Sequence, residues 1–127
     1  MHEMGLAEGI LSVVISVADG QPVERVRVRV GTLQRVVPDS LQFCFQLASQ
    51  DTCASNAILD VREAAARVAC RRCHAESVVE SATFACRTCG TFDVEVVAGT
   101  EASVDAVKLP GGWRRRPRST SVAAEGT

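Results

Sequence analysis

Aromatic residues make up only 4% of this 127-residue chain, with one Trp and no Tyr, so its core has to be built from Val, Ala, Leu and Ile. No apolar run approaches the roughly 20 residues that a membrane span needs, and the start of the chain lacks the basic stretch and hydrophobic block of an export signal. Neither charge is in excess: 14 Lys and Arg stand against 15 Asp and Glu. The overall basic field of a dedicated nucleic-acid binder is therefore missing. Histidine is scarce, with only His2 and His74, and no nucleophile and base pair for hydrolysis can be drawn up, so no enzyme activity is expected. A chain of this size hides roughly two-thirds of its unfolded surface, enough for one modest core. What is present is an ordinary globular composition, 46% hydrophobic and 23% charged, together with six cysteines. These features lead to the expectation of a soluble, cytoplasmic protein, whose cysteines in a reducing compartment point to metal or catalysis rather than disulfides.

Met4, Ala7, Ile10, Leu11, Val14, Ile15 and Ala18 recur at offsets of three and four, the stripe of an amphipathic helix over residues 4–18. Asp19-Gly20 stops it. Residues 23–30 alternate, with Val26, Val28 and Val30 on one side and Arg25, Arg27 and Arg29 on the other, the period of a strand with one face in water. Gly31 closes that strand. Pro38-Asp39-Ser40 opens a second helix, with Asp39 or Ser40 as the expected cap, and Leu41, Cys44, Phe45 and Ala48 share one face of it. Residues 57–61 read as a short strand and 101–109 as another, with Val104 and Val107 as its apolar positions.

Between these last two strands the chain changes character, with four cysteines and few large apolar side chains from about Arg67 to Val97. Such a segment cannot bury enough apolar surface to offset its chain entropy, so the cysteines are the expected staple. Cys70-Arg71-Arg72-Cys73 and Cys86-Arg87-Thr88-Cys89 are two C-x-x-C pairs with twelve residues between them, a spacing that lets two tight turns face each other across one tetrahedral Zn(II). Four thiolates leave the ion no open position, so its role is structural. Arg71, Arg72 and Arg87 are placed to offset the net negative charge of such a centre. Cys70 to His74 also spells the haem attachment pattern C-x-x-C-H, which gives the second pair no use, and a redox-active C-x-x-C would stand alone at a helix start. A zinc ribbon acting as a nucleic-acid binder or adaptor is the alternative that the basic turns keep open. Cys44 and Cys53 read as an apolar helix position and a loop thiol, and His74 as a solvated neighbour of the metal. After Pro110 the sequence Gly111-Gly112-Trp113-Arg114-Arg115-Arg116-Pro117-Arg118 and its polar continuation read as a disordered basic tail, residues 110–127.

The opening Met1-His2-Glu3-Met4 offers a chelate. A free terminal amine on Met1, the deprotonated His2 amide nitrogen and His2 Nδ1 close adjacent rings around one ion. Three such nitrogens in a plane suit Ni(II) or Cu(II). Any chain that begins Met-His carries the same atoms.

The start Met1-His2-Glu3-Met4-Gly5-Leu6-Ala7-Glu8-Gly9-Ile10-Leu11, followed by the strand, the second helix and the two C-x-x-C pairs, resembles the HypA/HybF family of hydrogenase nickel-incorporation proteins over residues 1–109. The resemblance implies a nickel metallochaperone that holds Ni(II) at Met1 and His2 and structural Zn(II) at Cys70, Cys73, Cys86 and Cys89. The fourth nickel ligand stays open between the amide or carboxylate of Glu3 and a group from a partner. The implied fold is α+β, two helices on a mixed three-stranded sheet formed by residues 1–64 and 98–109, with a zinc ribbon, residues 65–97, inserted before the last strand. The implied partners are a nickel-handling GTPase, which a face of residues 5–18 carrying Glu8 and Ser12 is placed to receive, and the large subunit of nickel-iron hydrogenase, with urease as a second recipient. No membrane and no nucleic acid enter this picture. The tail beyond Leu109 departs from the family pattern, and no spare histidine is available for nickel.

Overall fold

A computed structural model describes residues 2–79 and 84–115, with side chains from Glu3 onward. The chain runs α1 (His2–Ala18), β1 (Arg25–Gly31), a short 3-10 turn (Thr32–Gln34), α2 (Pro38–Ala48), β2 (Ile58–Ala64), β3 (Arg67–Cys70), β4 (Glu76–Val78), β5 (Val94–Ala98), β6 (Ala102–Leu109) and β7 (Gly112–Arg115). Most of the stripe read for the first helix is the face it buries: Ala7, Ile10, Val14 and Ala18 are inaccessible to solvent, while Ile15, read as part of it, stands 37% exposed. Asp19 and Gly20 then turn left-handed, which ends the helical ladder.

The alternation in β1 holds residue by residue, with Val26, Val28 and Val30 buried and Arg25 and Arg29 exposed. The strand order of the main sheet is β2-β1-β6-β7, parallel between β1 and β2 and antiparallel elsewhere. Both helices lie on its apolar face, where Ile10, Val14, Leu41 and Phe45 pack with Val26, Val28, Leu59, Val104, Val107 and Leu109. Cys44 and Cys53 pack against the margin of this core, as expected of thiols used as small apolar groups.

Two expectations are corrected. The second helix starts at Pro38 with Val37 at its N-cap and no side-chain cap, so neither Asp39 nor Ser40 caps it. Proline is suited to the first helical position, where its fixed φ fits and its missing N–H costs nothing, and this draws the boundary back. The main sheet has four strands, not three. Residues 112–115, read as part of a disordered tail, form β7 and pair with β6 from Leu109↔Gly112 to Ala106↔Arg115. Pro110 and Gly111 make the two-residue connection, and Gly112 follows at φ 127, a conformation open to glycine but strained for other residues. Arg114 then donates from Nη1 to the Val17 carbonyl at 3.0 Å, placing a cation on a free carbonyl of the last turn of α1. The remainder of the tail, residues 116–127, lies outside the described residues.

The second sheet has the order β4-β3-β5 and is antiparallel throughout. Among the described residues from 66 to 98, Ala66, Val68, Cys70 and Cys86 are the buried apolar side chains, and none joins the main core. Where the chain crosses between the sheets, the backbone packs without side chains between. Leu33 donates its N–H to the Gly99 carbonyl at 3.0 Å and Gly31 to that of Glu101 at 2.8 Å. Ala66 donates to Thr32 Oγ1 at 3.2 Å. A Cβ on Gly31 would collide with the Gly99 carbonyl, and one on Gly99 with the Ala66 backbone, so close approach is the reason for glycine at both positions.

Candidate metal centres

Cys70 closes β3, and Cys73 follows it within the same turn; Cys86 and Cys89 form a second turn just before β5. The two turns have the same construction. His74 donates its N–H to the Cys70 carbonyl at 3.1 Å and Gly90 to that of Cys86 at 2.9 Å, and both take positive φ, 67° and 81°. His74 thus occupies the left-handed position that glycine fills in the other turn. It is exposed and stands outside the sulfur cluster.

Cys70 Sγ accepts the N–H groups of Arg72 and Cys73, both at 3.3 Å. Cys86 Sγ accepts those of Thr88 at 3.4 Å and Cys89 at 3.5 Å. Backbone donors aimed at a sulfur favour its anion. The Cys89 amide, followed by that of Thr88, holds the Cys86 thiol down at about 6. The Cys73 amide does the same for Cys70, against an opposing effect of burial, and lowers it. For Cys73 a lowering contact with the Ala75 backbone is outweighed by desolvation and by the neighbouring sulfurs, and its thiol is pushed up to about 11. One sulfur is thus prepared as a thiolate, while another keeps its proton until a cation displaces it.

The four Sγ atoms lie within 4.8 Å of one another, with Cys70 to Cys89 and Cys73 to Cys86 each at 3.6 Å. Metal–sulfur bonds of about 2.3 Å in a tetrahedron require sulfurs about 3.8 Å apart. The cluster fits a structural Zn(II), and with four sulfurs no position is left for a substrate. The arginines of the first turn behave differently from expectation. Arg71 pairs with Asp93 at 3.2 Å and donates to the Val94 carbonyl at 2.9 Å, and Arg72 approaches the same carboxylate at 3.8 Å. These two guanidinium groups tie the turn to the start of β5, while backbone N–H groups meet the sulfurs of Cys70 and Cys86.

At the start of the chain, His2 opens α1. Met1 and the His2 side chain lie outside the described residues. Glu3 is described, and its Oε2 accepts the Val37 N–H at 3.3 Å, supplying from α1 the acceptor that the start of α2 lacks on its own. Val36 and Pro38, on either side of that contact, line a shallow cavity of about 180 Å³ with Arg35 and Glu63. Its lining holds one carboxylate and neither His nor Cys.

A family model described as "Hydrogenase/urease nickel incorporation, metallochaperone, hypA" matches residues 1–109. The chain belongs to the HypA family. Its curated relatives include the hydrogenase maturation factor HypA of a Nostoc species, 33% identical over 86% of this chain and 96% of the relative. The factor of the same name from Desulfosudis oleivorans is 35% identical, over 86% and 98%. The solution structure of the nickel metallochaperone HypA from Helicobacter pylori shares the fold, with a TM-score of 0.65 at 18% identity over 86% of this chain and 97% of that one. HypA proteins are metallochaperones of nickel incorporation and hydrogenase maturation, and the four-cysteine cluster takes its place in that scheme as the zinc-ribbon centre. No described helix is long and apolar enough to cross a membrane. The family match ends at Leu109, so β7 lies beyond it. Sequence reasoning missed β7 because the run of arginines outweighed the Pro110-Gly111-Gly112 turn, which is the signal that would have found it.

Proposed function

We propose that this HypA protein carries Ni(II) at its N-terminus and hands it, with a GTPase partner, to the large subunit of nickel-iron hydrogenase, with urease as a further recipient. In this reading Ni(II) is cargo. The Met1 amine, the His2 amide nitrogen and His2 Nδ1 bind it in a plane, while Zn(II) resides on Cys70, Cys73, Cys86 and Cys89 and shapes the ribbon. The protein transfers an ion and catalyses no bond change, and it works in the cytoplasm, where thiols stay reduced. The exposed positions Glu8 and Ser12 of α1 are the surface offered to the GTPase.

The observation that carries this reading is the place of Met1-His2-Glu3. The family match begins at residue 1, and His2 and Glu3 fall in the first turn of α1, with Glu3 anchored on Val37. That anchor occupies Glu3, so the fourth nickel ligand is better sought in the Glu3 amide nitrogen or in a partner than in the Glu3 carboxylate. Calorimetry and metal analysis on untagged protein test the proposal. One tight Ni(II) and one Zn(II) per chain are expected, with nickel alone lost in His2→Ala or when a residue is added ahead of Met1. Unchanged nickel binding in both variants would refute the N-terminal site.

A further inference from the structure

The face of the main sheet turned away from the helices is uncovered among the described residues, and the strand registers arrange it in rows. Ile58, Arg25, Lys108 and Trp113 form one row; Asp60, Arg27, Ala106 and Arg115 the next; Arg62, Arg29 and Ser103 the third. Six basic side chains stand on it against Asp60 and, at the bulge of β6, Asp105. Arg29 pairs with Asp105 at 3.1 Å, and Arg62 with Asp60 at 3.3 Å. Arg25, Lys108 and Arg115 make no ion pair with any described residue. This charge is local, because the whole chain has a net charge of -1.

The aromatic residue on this face comes from β7. Trp113 is 42% exposed, and the Arg27 guanidinium lies 4.5 Å from its ring centroid, reaching across β6 where Ala106 leaves room. Arginine and tryptophan are the side chains that most often carry binding energy at interfaces. The two of them here are held in place before any partner arrives.

We propose that this face is a docking surface for a single acidic segment of a partner polypeptide, completed by Trp113 and Arg115, which lie past the family match. Size commits it to a segment. The four strands, β7 being only four residues long, at about 4.8 Å spacing and about 3.3 Å per residue, give a planar footprint of about 400 Å², about half the roughly 800 Å² per partner of a standard interface. Charge complementarity commits it to acid: three unpaired cations lie in the two rows beside Trp113. The chain's own C-terminus brings no match, because residues 116–127 hold two arginines and one glutamate. Single-stranded nucleic acid is disfavoured, since such surfaces use successive aromatic platforms. Here one ring is present with a guanidinium over it, and two carboxylates stand among the arginines.

Trp113 is the only tryptophan and no tyrosine is present, so emission excited at the red edge reports this face alone. The full-length protein is titrated with a short synthetic Glu- and Asp-rich peptide with interspersed leucines, and separately with an oligouridylate. The expected result is a saturable change in Trp113 emission with the peptide, weakened by salt and about tenfold weaker in Arg25→Glu/Lys108→Glu. Circular dichroism checks that the double variant is folded; should it not fold, Arg115→Glu on the edge strand carries the same test. A flat titration, a peptide response indifferent to these charge reversals, or tighter binding of the oligouridylate would each overturn the proposal.

Discussion

Gly31 and Gly99 show how little room a single residue has where the two sheets meet. Their backbones are in contact, and any β-carbon on Gly31 strikes the Gly99 carbonyl. Gly31→Ala is expected to cost about 2–3 kcal/mol through forced backbone shifts. A drop in melting temperature with unchanged metal content would be its signature, and an unshifted transition would refute the contact. Phe45, the largest side chain sealed from solvent, sets the scale for the core, and Phe45→Ala is expected to lose about 3–5 kcal/mol in denaturant titration. Glu3 belongs to this scale too. Because its carboxylate accepts the Val37 N–H, Glu3→Gln keeps an acceptor and should bind Ni(II) nearly as the parent does. Glu3→Ala should weaken the start of α2 by about 1 kcal/mol, and equal nickel loss in both variants would return the carboxylate to the list of ligands.

At the scale of the element, the β3–β5 sheet and the main sheet draw on different sources of stability. The former buries Val68 as its one sizeable apolar side chain, so most of its folding free energy must come from the ion. Zinc bound by a set of thiolates contributes on the order of 10 kcal/mol or more. Cys73→Ala is therefore expected to lose zinc and unfold this sheet, while α1, α2 and the main sheet, whose core contains no residue from 65–97, persist. Retained zinc in that variant, or collapse of the helical dichroism with it, would contradict this division. At β7 the effect is smaller. Arg114→Ala removes the cation from the end of α1 and should cost about 0.5–1 kcal/mol, visible as faster amide exchange in the last turn of that helix.

For the whole molecule the resident zinc and the proposed N-terminal nickel are expected to respond to acid in different ranges. At the proposed site nickel would compete with protons for an amine and an imidazole, whose ordinary pKa values are about 7.7–8.0 and about 6.5. Nickel affinity should thus fall steadily between about pH 8 and pH 6, as the nitrogen donors take up protons. Zinc is held by four thiolates in a closed site worth on the order of 10 kcal/mol or more, which outweighs proton competition at Cys73, pushed up to about 11, as well as at Cys86, held at about 6. Zinc should therefore remain through that interval and leave only in stronger acid. Metal analysis of dialysed protein across pH distinguishes the two, and parallel loss of both ions would show that the sites do not titrate independently.

How far these features were legible in advance depended on the range of the interactions behind them. The stripe of α1, the alternation of β1, the apolar positions Val104 and Val107 and the two C-x-x-C turns are local patterns, fixed by the helical and strand periods and by the bond lengths of a tetrahedral ion. They could be read from spacing alone, and the N-terminal motif with the cysteine pairs was enough to point to the HypA family. The contact of Glu3 with Val37, the turning of Arg71 and Arg72 toward Asp93, the close glycine crossing and the fourth strand carrying Trp113 were decided only by tertiary structure. Each depends on groups far apart in the chain, or on whether a short basic strand finds a neighbouring edge to pair with. Local propensity carries no information about that meeting. The sequence alone determined the four zinc ligands and the periodic strands and helices around the main core; packing decided whether a fourth strand joins them, which charges face one another and which face is left open.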